Sequence, residues 1–382
     1  MKINLLLLFI LFLMACQGKV DVSPNNNQKK FLASMTEKAY GTIDGQQINE
    51  YTFQNAKGMS ISIINYGGII TKIEVPDKDG VIKDVALGFD NFTGYTGAHP
   101  YFGALVGRYG NRIAAGQFNI DDEKYQLDIN NKPNSLHGGL TGFDKRIWDV
   151  KTTRIDQTNG ITLSGRSKDG DQGFPGNLDV TVSYLLNDDN ELIINYHAVT
   201  DKPTIINLTN HSYFNLKGNG EGDVLGHEVQ LMADRFTPVD ETLIPLGEYR
   251  SVAGTPFDFN KSTSIGSRIN DENQQIIFGG GYDHNWILND QRGDLSLAAT
   301  VYEPVSGRFM EVLTTEPGIQ FYTGNFLDGT SGKSGKPYHS RYGFCLETQH
   351  YPDSPNQEDF PSTILRPGET YESQTVYRFS VK

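Results

Sequence analysis

Apolar and polar positions alternate along most of this chain. Ser60 to Val75 (SISIINYGGIITKIEV) alternates β-branched and polar residues around a Gly67-Gly68 break, the period-two signature of half-buried strands. Asp179 to Leu186 and Glu191 to Thr200 alternate again, separated by Asn187-Asp188-Asp189-Asn190, which has the composition of a hairpin turn. Leu295 to Tyr302, Arg308 to Thr315 and Thr375 to Val381 behave likewise. No segment of about 12 residues or more keeps a helical period with caps at both ends. Turn clusters such as Asp169-Gly170-Asp171 and Gly218-Asn219-Gly220 recur at short intervals, with no composition break and no fixed repeat. From about Met35 onward the pattern predicts an all-β chain, a large antiparallel sandwich in one domain.

The N-terminus reads differently. Leu5 to Met14 is an unbroken apolar run behind Met1-Lys2. A membrane span needs about 20 apolar residues, so this run is expected to be a signal-peptide core. It ends in Leu13-Met14-Ala15-Cys16, which resembles a bacterial lipobox, with Met14 departing from the small or β-branched residue usual there. The expected organisation is therefore a signal peptide over 1–15, a lipidated polar tether over 16–35 and a single domain over 36–382. Cleavage before Cys16 and lipidation of its thiol would anchor the protein to the bacterial cell envelope after export. Gln17 leans that anchor towards the outer membrane. Lipidation leaves Cys345 as the sole thiol, which excludes an intrachain disulfide.

Charge narrows the ligand. The chain of 382 residues carries 46 Asp and Glu against 33 Lys and Arg, a formal net charge of −13. Nucleic acid needs a basic face, and so does an anionic lipid surface. Neither is an expected partner, and contact with a membrane would come only through the lipid. Neutral ligands remain.

Several segments carry polar side chains where a strand should be apolar. Gly107-Arg108-Tyr109-Gly110-Asn111-Arg112-Ile113 sets two arginines among glycines; one reading is a structural Arg, the other a fork of donors led by Asn111 and Arg112. Asn134–Gly139 (NSLHGG) presents His137, and Asn207–Leu216 (NLTNHSYFNL) presents His211 in an expected strand with polar groups on both faces, costly without partners. Asp283 stands in GYDHNW, Gln320 in GIQFYTGN, and Glu347 in the otherwise apolar Phe344–Leu346 context. A Glu there is paired or held for chemistry. Together, amides and Arg suit sugar hydroxyls, aromatics suit the sugar's C–H face, and His and Glu move protons.

In this order the motifs resemble the aldose 1-epimerase family. GRYGNRI, NSLHGG, NLTNHSYFNL, GGYDHN, PGIQFYTGNFLDGT and LETQHYPDSPN carry the resemblance, which runs from about Thr36 to Lys382. DRFTPVDETLIPLGE and GTPFDF also look like the family, with Leu246 where Thr is common. The resemblance implies a β-supersandwich with a sugar cleft, a monosaccharide substrate, a monomer and no organic cofactor. It implies Glu347 as base and His211 as acid. It carries Asn111, Arg112, His137, Asp283 and Gln320 over as sugar contacts, with Ser212 and Tyr213 lining the site beside the acid.

The chemistry is consistent on its own terms. Interconverting anomers needs a base at the anomeric hydroxyl and an acid at the ring oxygen, one carboxylate and one imidazole. Arg112 is expected to keep Glu347 ionised, and Glu347 to raise the pKa of His211. Rival readings are a glycoside hydrolase, which needs two carboxylates and would draft Asp283, and a surface carbohydrate-binding protein without catalysis. His137, His211, Asp283 and Glu347 are ligand types, yet no HxxxH or CxxC spacing supports a metal. The acidic loops leave room for a Ca²⁺ ion in a structural role.

Overall fold

The computed structural model describes residues 34–155, 158–290 and 292–382. The expected signal peptide, Cys16 and nearly all of the tether lie outside them. The first strand is Ser34–Ile43, so the expected domain start at Thr36 falls inside it.

The alternating segments form strands. Leu178–Leu186 and Glu191–Thr200 pair in register through the expected turn, where Asn187 Oδ1 accepts from the backbone N–H groups of Asp189 and Glu191. They belong to a nine-stranded antiparallel sheet. Its order is Asp149–Ile155, Thr158–Ser167, Leu178–Leu186, Glu191–Thr200, Tyr371–Val381, Arg308–Thr314, Ser296–Tyr302, Glu228–Leu231 and Thr263–Ser264. The run at 60–75 becomes two strands, Ser60–Ile64 and Ile70–Pro76, within a five-stranded sheet that starts at Ser34. Gly67 and Gly68 turn the chain between them at φ of 66° and 55°, values that a Cβ disfavours.

A six-stranded sheet positions the site. Its order is Tyr213–Phe214, Phe344–Gln349, Gly318–Tyr322, Asp283–Ile287, Arg235–Thr237 and Arg250–Ser251. Side chains alternate across it. One face presents Phe214, Leu346, Phe344, Phe321, Ile319 and Trp286 to a core shared with Val180, Val182, Val301, Val312 and Tyr377 of the nine-stranded sheet. Each large apolar side chain buried this way contributes about 1.5–3 kcal/mol. The Tyr377 hydroxyl donates to the Leu346 carbonyl at 3.0 Å, tying the two sheets together. The opposite face carries Asp283, Asn285, Gln320, Cys345, Glu347 and Gln349, all buried.

The segment Asn207–Leu216 departs from the single strand expected. Thr209–His211 pairs with Ala104–Val106, whereas Tyr213–Phe214 pairs with Phe344 and Cys345. The chain changes partners at Ser212, whose N–H and Oγ both bond Asn210 Oδ1, at 3.1 and 2.7 Å. The amides that looked costly inside one strand serve this crossing: Asn210 Nδ2 donates to the Gly103 carbonyl and Asn207 Nδ2 to that of Gly110.

Candidate active site

Two distant motifs meet in a two-stranded ladder, where Ser135–Leu136 pairs with Arg112–Ile113. Asn111, at φ 66°, adopts the left-handed conformation that Asn tolerates best among residues with a Cβ. Its N–H donates to His137 Nδ1 at 3.1 Å, and the His137 N–H donates back to the Asn111 carbonyl at 3.1 Å. This fixes the neutral tautomer of His137 with hydrogen on Nε2. Burial holds the ring neutral, its pKa well below the ordinary value, so His137 presents a donor to the cavity. Gly138, at φ 88°, passes so close to the Gly107 carbonyl that a side chain there would collide with it. The structural arginine of the first motif is Arg108, fully buried and bonded to the carbonyls of Pro175, Gly176, Ser167 and Lys168. Arg112 reaches the cavity instead.

His211 stands between aromatic walls. Its ring stacks on Tyr213 at 5.0 Å and Tyr101 at 5.8 Å, and meets His137 edge-on at 5.1 Å. Nδ1 faces the Cys345 thiol at 3.5 Å, and Nε2 lies 3.7 Å from Glu347 Oε2. Among the described residues Glu347 Oε2 has no hydrogen-bond partner. Opposite them, Arg112 Nη2 is 3.6 Å from Asp283 Oδ2, Arg112 Nε donates to Asn131 Oδ1, and Gln320 Nε2 donates to Asp283 Oδ1 at 2.6 Å.

Burial governs the protonation here. It pushes Glu347 well above the usual carboxylate range, aided by the charge of Asp283 and opposed by Arg112. It pulls His211 down to about 3. The expectation that Arg112 would keep Glu347 ionised and that Glu347 would lift His211 is therefore reversed. Removing both groups from water costs more than their attraction returns. Burial thus disfavours the charged form of each group.

The cavity holds about 510 Å³, ample for a monosaccharide. Asn111, Arg112, His137, His211, Tyr213, Asp283 and Glu347 line it, as expected from sequence. Ser212 does not: its side chain turns away to Asn210, because neighbours along an extended chain face opposite sides. Gln320 stands behind Asp283 and orients it, off the cavity wall. The sequence reading missed Tyr101, Asn131, Lys132, Phe278, Tyr322 and Phe326. Tyr322 and Phe326 lay within a quoted motif, where an aromatic two places from a polar site residue is a usable signal. Tyr101 and Phe278 gave none.

His137, His211 and Glu347 bring three ligand atoms within 4.8 Å of one another. Two imidazoles and one carboxylate do not fit Ca²⁺, which takes six to eight oxygens. They do not fit a transition metal with the present hydrogen bonding either. Ligation through His137 Nε2 would need its hydrogen on Nδ1, the atom that accepts from Asn111.

An all-β sandwich with a buried His–Glu pair in a polar, aromatic-walled cavity is an architecture suited to a carbohydrate ligand. A family model described as aldose 1-epimerase matches residues 49–378. A galactose mutarotase from Bos taurus is 47% identical over 353 residues, covering 92% of this chain and all of that protein. An aldose 1-epimerase from Escherichia coli strain K12 is 40% identical over 88% of this chain and 96% of its own. The crystal structure of galactose 1-epimerase from Lactobacillus acidophilus superposes with a TM-score of 0.81 at 30% identity, covering 92% of this chain and 99% of that one. The chain belongs to the aldose 1-epimerase family.

Proposed function

We infer that the protein interconverts the α and β anomers of free aldoses, with Glu347 as general base and His211 as general acid. The observation that carries this is their juxtaposition, 3.7 Å apart inside a buried cavity of sugar size. The carboxylate takes the proton of the anomeric hydroxyl, and that O–H pair becomes the carbonyl π bond. The C1–O5 pair passes to the ring oxygen, which takes the proton from His211 Nε2–H. Rotation about C1–C2 presents the other carbonyl face, and the reverse transfers close the ring. Glu347 and His211 end as they began.

The proton count explains the electrostatics. The open-chain stage has protonated Glu347 and neutral His211, the distribution that burial favours. The cyclic stages need the proton on His211. Arg112 supports that shift, being the cation that opposes burial at Glu347. His137 Nε2–H and Arg112 supply donors to the sugar, and Asp283, held by Gln320, supplies an acceptor. The pairing of Asp283 with Arg112 and Gln320 speaks against a second catalytic carboxylate of the hydrolase kind. The donor set asks for no metal.

The test is Glu347→Gln, which keeps shape and removes the base. Mutarotation followed by polarimetry on fresh α-glucose and α-galactose is expected to fall about 10²–10⁴-fold. A folded variant with near-wild-type rates refutes the assignment. Sequence alone supports the remaining proposals: a bacterial lipoprotein, exported and held at the cell envelope by lipid on Cys16, working as a monomer. Cys16→Ser is expected to leave membranes with its activity intact, and unchanged partitioning would overturn the anchor.

A further inference from the structure

Behind the acid–base pair lies a group of polar atoms that the mechanism does not use. Asn285, Gln320 and Glu347 sit directly across from one another on three adjacent strands. Their side chains therefore share one face. One row further along, Gly318 stands directly across from Gln349. Gly318 has no side chain because its neighbours already fill that place. A Cβ there would lie 2.7 Å from Asn285 Oδ1 and 2.9 Å from the Tyr351 ring. The Asn285 carboxamide thus leans over Gly318 towards the row of Gln349.

Both carboxamides are buried, Asn285 1% and Gln349 0% exposed, and neither lines the cavity. Yet Asn285 Nδ2 and Oδ1 and Gln349 Nε2 and Oε1 make no hydrogen bond to any group among the described residues. Gln320 Oε1 and Glu347 Oε2, on the same face, are also unpartnered there. That makes six buried polar atoms in two neighbouring rows. Leaving them all dry would take a large share of a domain's net stability. A sugar in the cavity does not reach the two carboxamides. Water is the partner small enough to serve them, and at about three hydrogen bonds per molecule about two waters would satisfy six atoms.

We propose that Asn285 and Gln349 are positioning residues that bind internal water behind Glu347 and Gln320, and that this water hydrogen-bonds the base. The role rests on the reading of Glu347 as base. A carboxamide offers donors and acceptors together, so it holds water while adding no charge beside the carboxylate. Water donating to Glu347 Oε2 favours the ionised base that ring opening requires. The same water accepts from the carboxamide N–H groups and keeps Gln320, hence Asp283, in place.

The test has a structural and a functional arm. A high-resolution crystal structure of the protein is expected to show ordered water within hydrogen-bonding distance of both carboxamides. Carboxamides bonded directly to protein groups, with no water between them, would overturn the proposal. Asn285→Leu and Gln349→Met keep approximate volume and remove the polar groups. Each is expected to lower kcat about 10–100-fold, as loss of a supporting hydrogen-bond shell does, with KM changed less than about threefold. Infrared spectra carry the specific signature. The protonated carboxyl band assigned to Glu347 by its loss in Glu347→Gln should grow in both variants. Asn285→Ser, which restores a hydroxyl and leaves room for another water, should recover much of the rate. Unchanged kcat and an unchanged carboxyl band in a folded variant would refute the role. Should Asn285→Leu fail to fold, Gln349→Met and the water positions decide. Activity retained by Glu347→Gln would sink the base assignment alone, since the water would still be found.

Discussion

Arg112→Met removes a cation that faces both carboxylates of the site. In the native protein Arg112 Nη2 is 3.6 Å from Asp283 Oδ2, and both side chains are about nine-tenths buried. A unit charge pair at that distance interacts by about 4–5 kcal/mol at an effective dielectric near 20. The guanidinium's own desolvation offsets part of this; a loss of about 2–3 kcal/mol in the support the same guanidinium gives to the ionised form of Glu347 corresponds to about two decades in rate. Without it, burial raises Asp283 and Glu347 alike, and the ionised form of the base is disfavoured. Saturation kinetics by polarimetry are expected to show kcat down about 10²-fold and KM raised as well, since a sugar donor is lost. The sharper outcome concerns pH. The productive and unproductive forms differ only in where one proton sits, so their ratio does not depend on pH. Raising the pH should not rescue kcat, and above the raised pKa of Glu347 the pair loses its proton and the rate falls. Recovery of the variant at alkaline pH would show Glu347 titrating alone and refute the shared-proton account. So would a KM effect with kcat within about threefold of wild type.

Two further outcomes follow from buried contacts. Glu316 is buried, accepts from the Tyr371 hydroxyl at 3.1 Å and pairs with His350 Nδ1 at 2.6 Å; His350 is raised from its ordinary 6.5 and Glu316 lowered from 4.5, chiefly by each other against burial. The raised His350 contributes stability that is fully present below 6.5 and lost as pH rises through its folded pKa; the lowered Glu316 contributes stability present above 4.5 and lost as pH falls through its own. Glu316→Gln should therefore cost about 1.5–3 kcal/mol by urea unfolding between those values and less at alkaline pH; an equal cost at both pH values would contradict the pair. Cys345 meets His211 Nδ1 at 3.5 Å, and a thiol donates to a neutral ring and accepts from a charged one. Cys345→Val is expected to lower kcat about tenfold with Cys345→Ser close to wild type, and equal rates in both variants would remove the thiol from the account.

The sequence disclosed the strands because period two is written locally. Glu191–Thr200 was bounded correctly by its alternation and its turn. Motif order disclosed the cavity's polar residues for a similar reason, since each motif carries its own turn or strand. What escaped was set by the third dimension. Tyr101 comes from a turn and Phe278 from the short helix Gln274–Gly279, and they meet the other wall residues only in the fold. Ser212 was misplaced because adjacency to His211 in sequence put it on the opposite side of the chain. The direction of the pKa shifts was misjudged because charges near one another are legible from residue types, whereas the depth of their burial is not.

Core and site nevertheless draw on one piece of sequence information. In Phe344–Gln349 the odd positions Cys345, Glu347 and Gln349 face the site, and the even positions Phe344 and Leu346 enter the core. The same holds in Asp283–Ile287, where Asp283 and Asn285 oppose His284 and Trp286. His284 fits the apolar side because Nδ1 accepts from the Asp283 N–H, while its ring lies edge-on to Phe257 at 4.7 Å. A slip of one residue in either strand would carry a carboxylate into the core and an apolar side chain into the cavity. The hydrophobic burial that fixes the register thereby fixes which atoms face the sugar. It also buries Glu347 and His211, because the sheet whose back is the core presents its front as the cavity floor. The protonation of Glu347 and His211 is in this sense a property of the sandwich, and no residue beside them could set it alone.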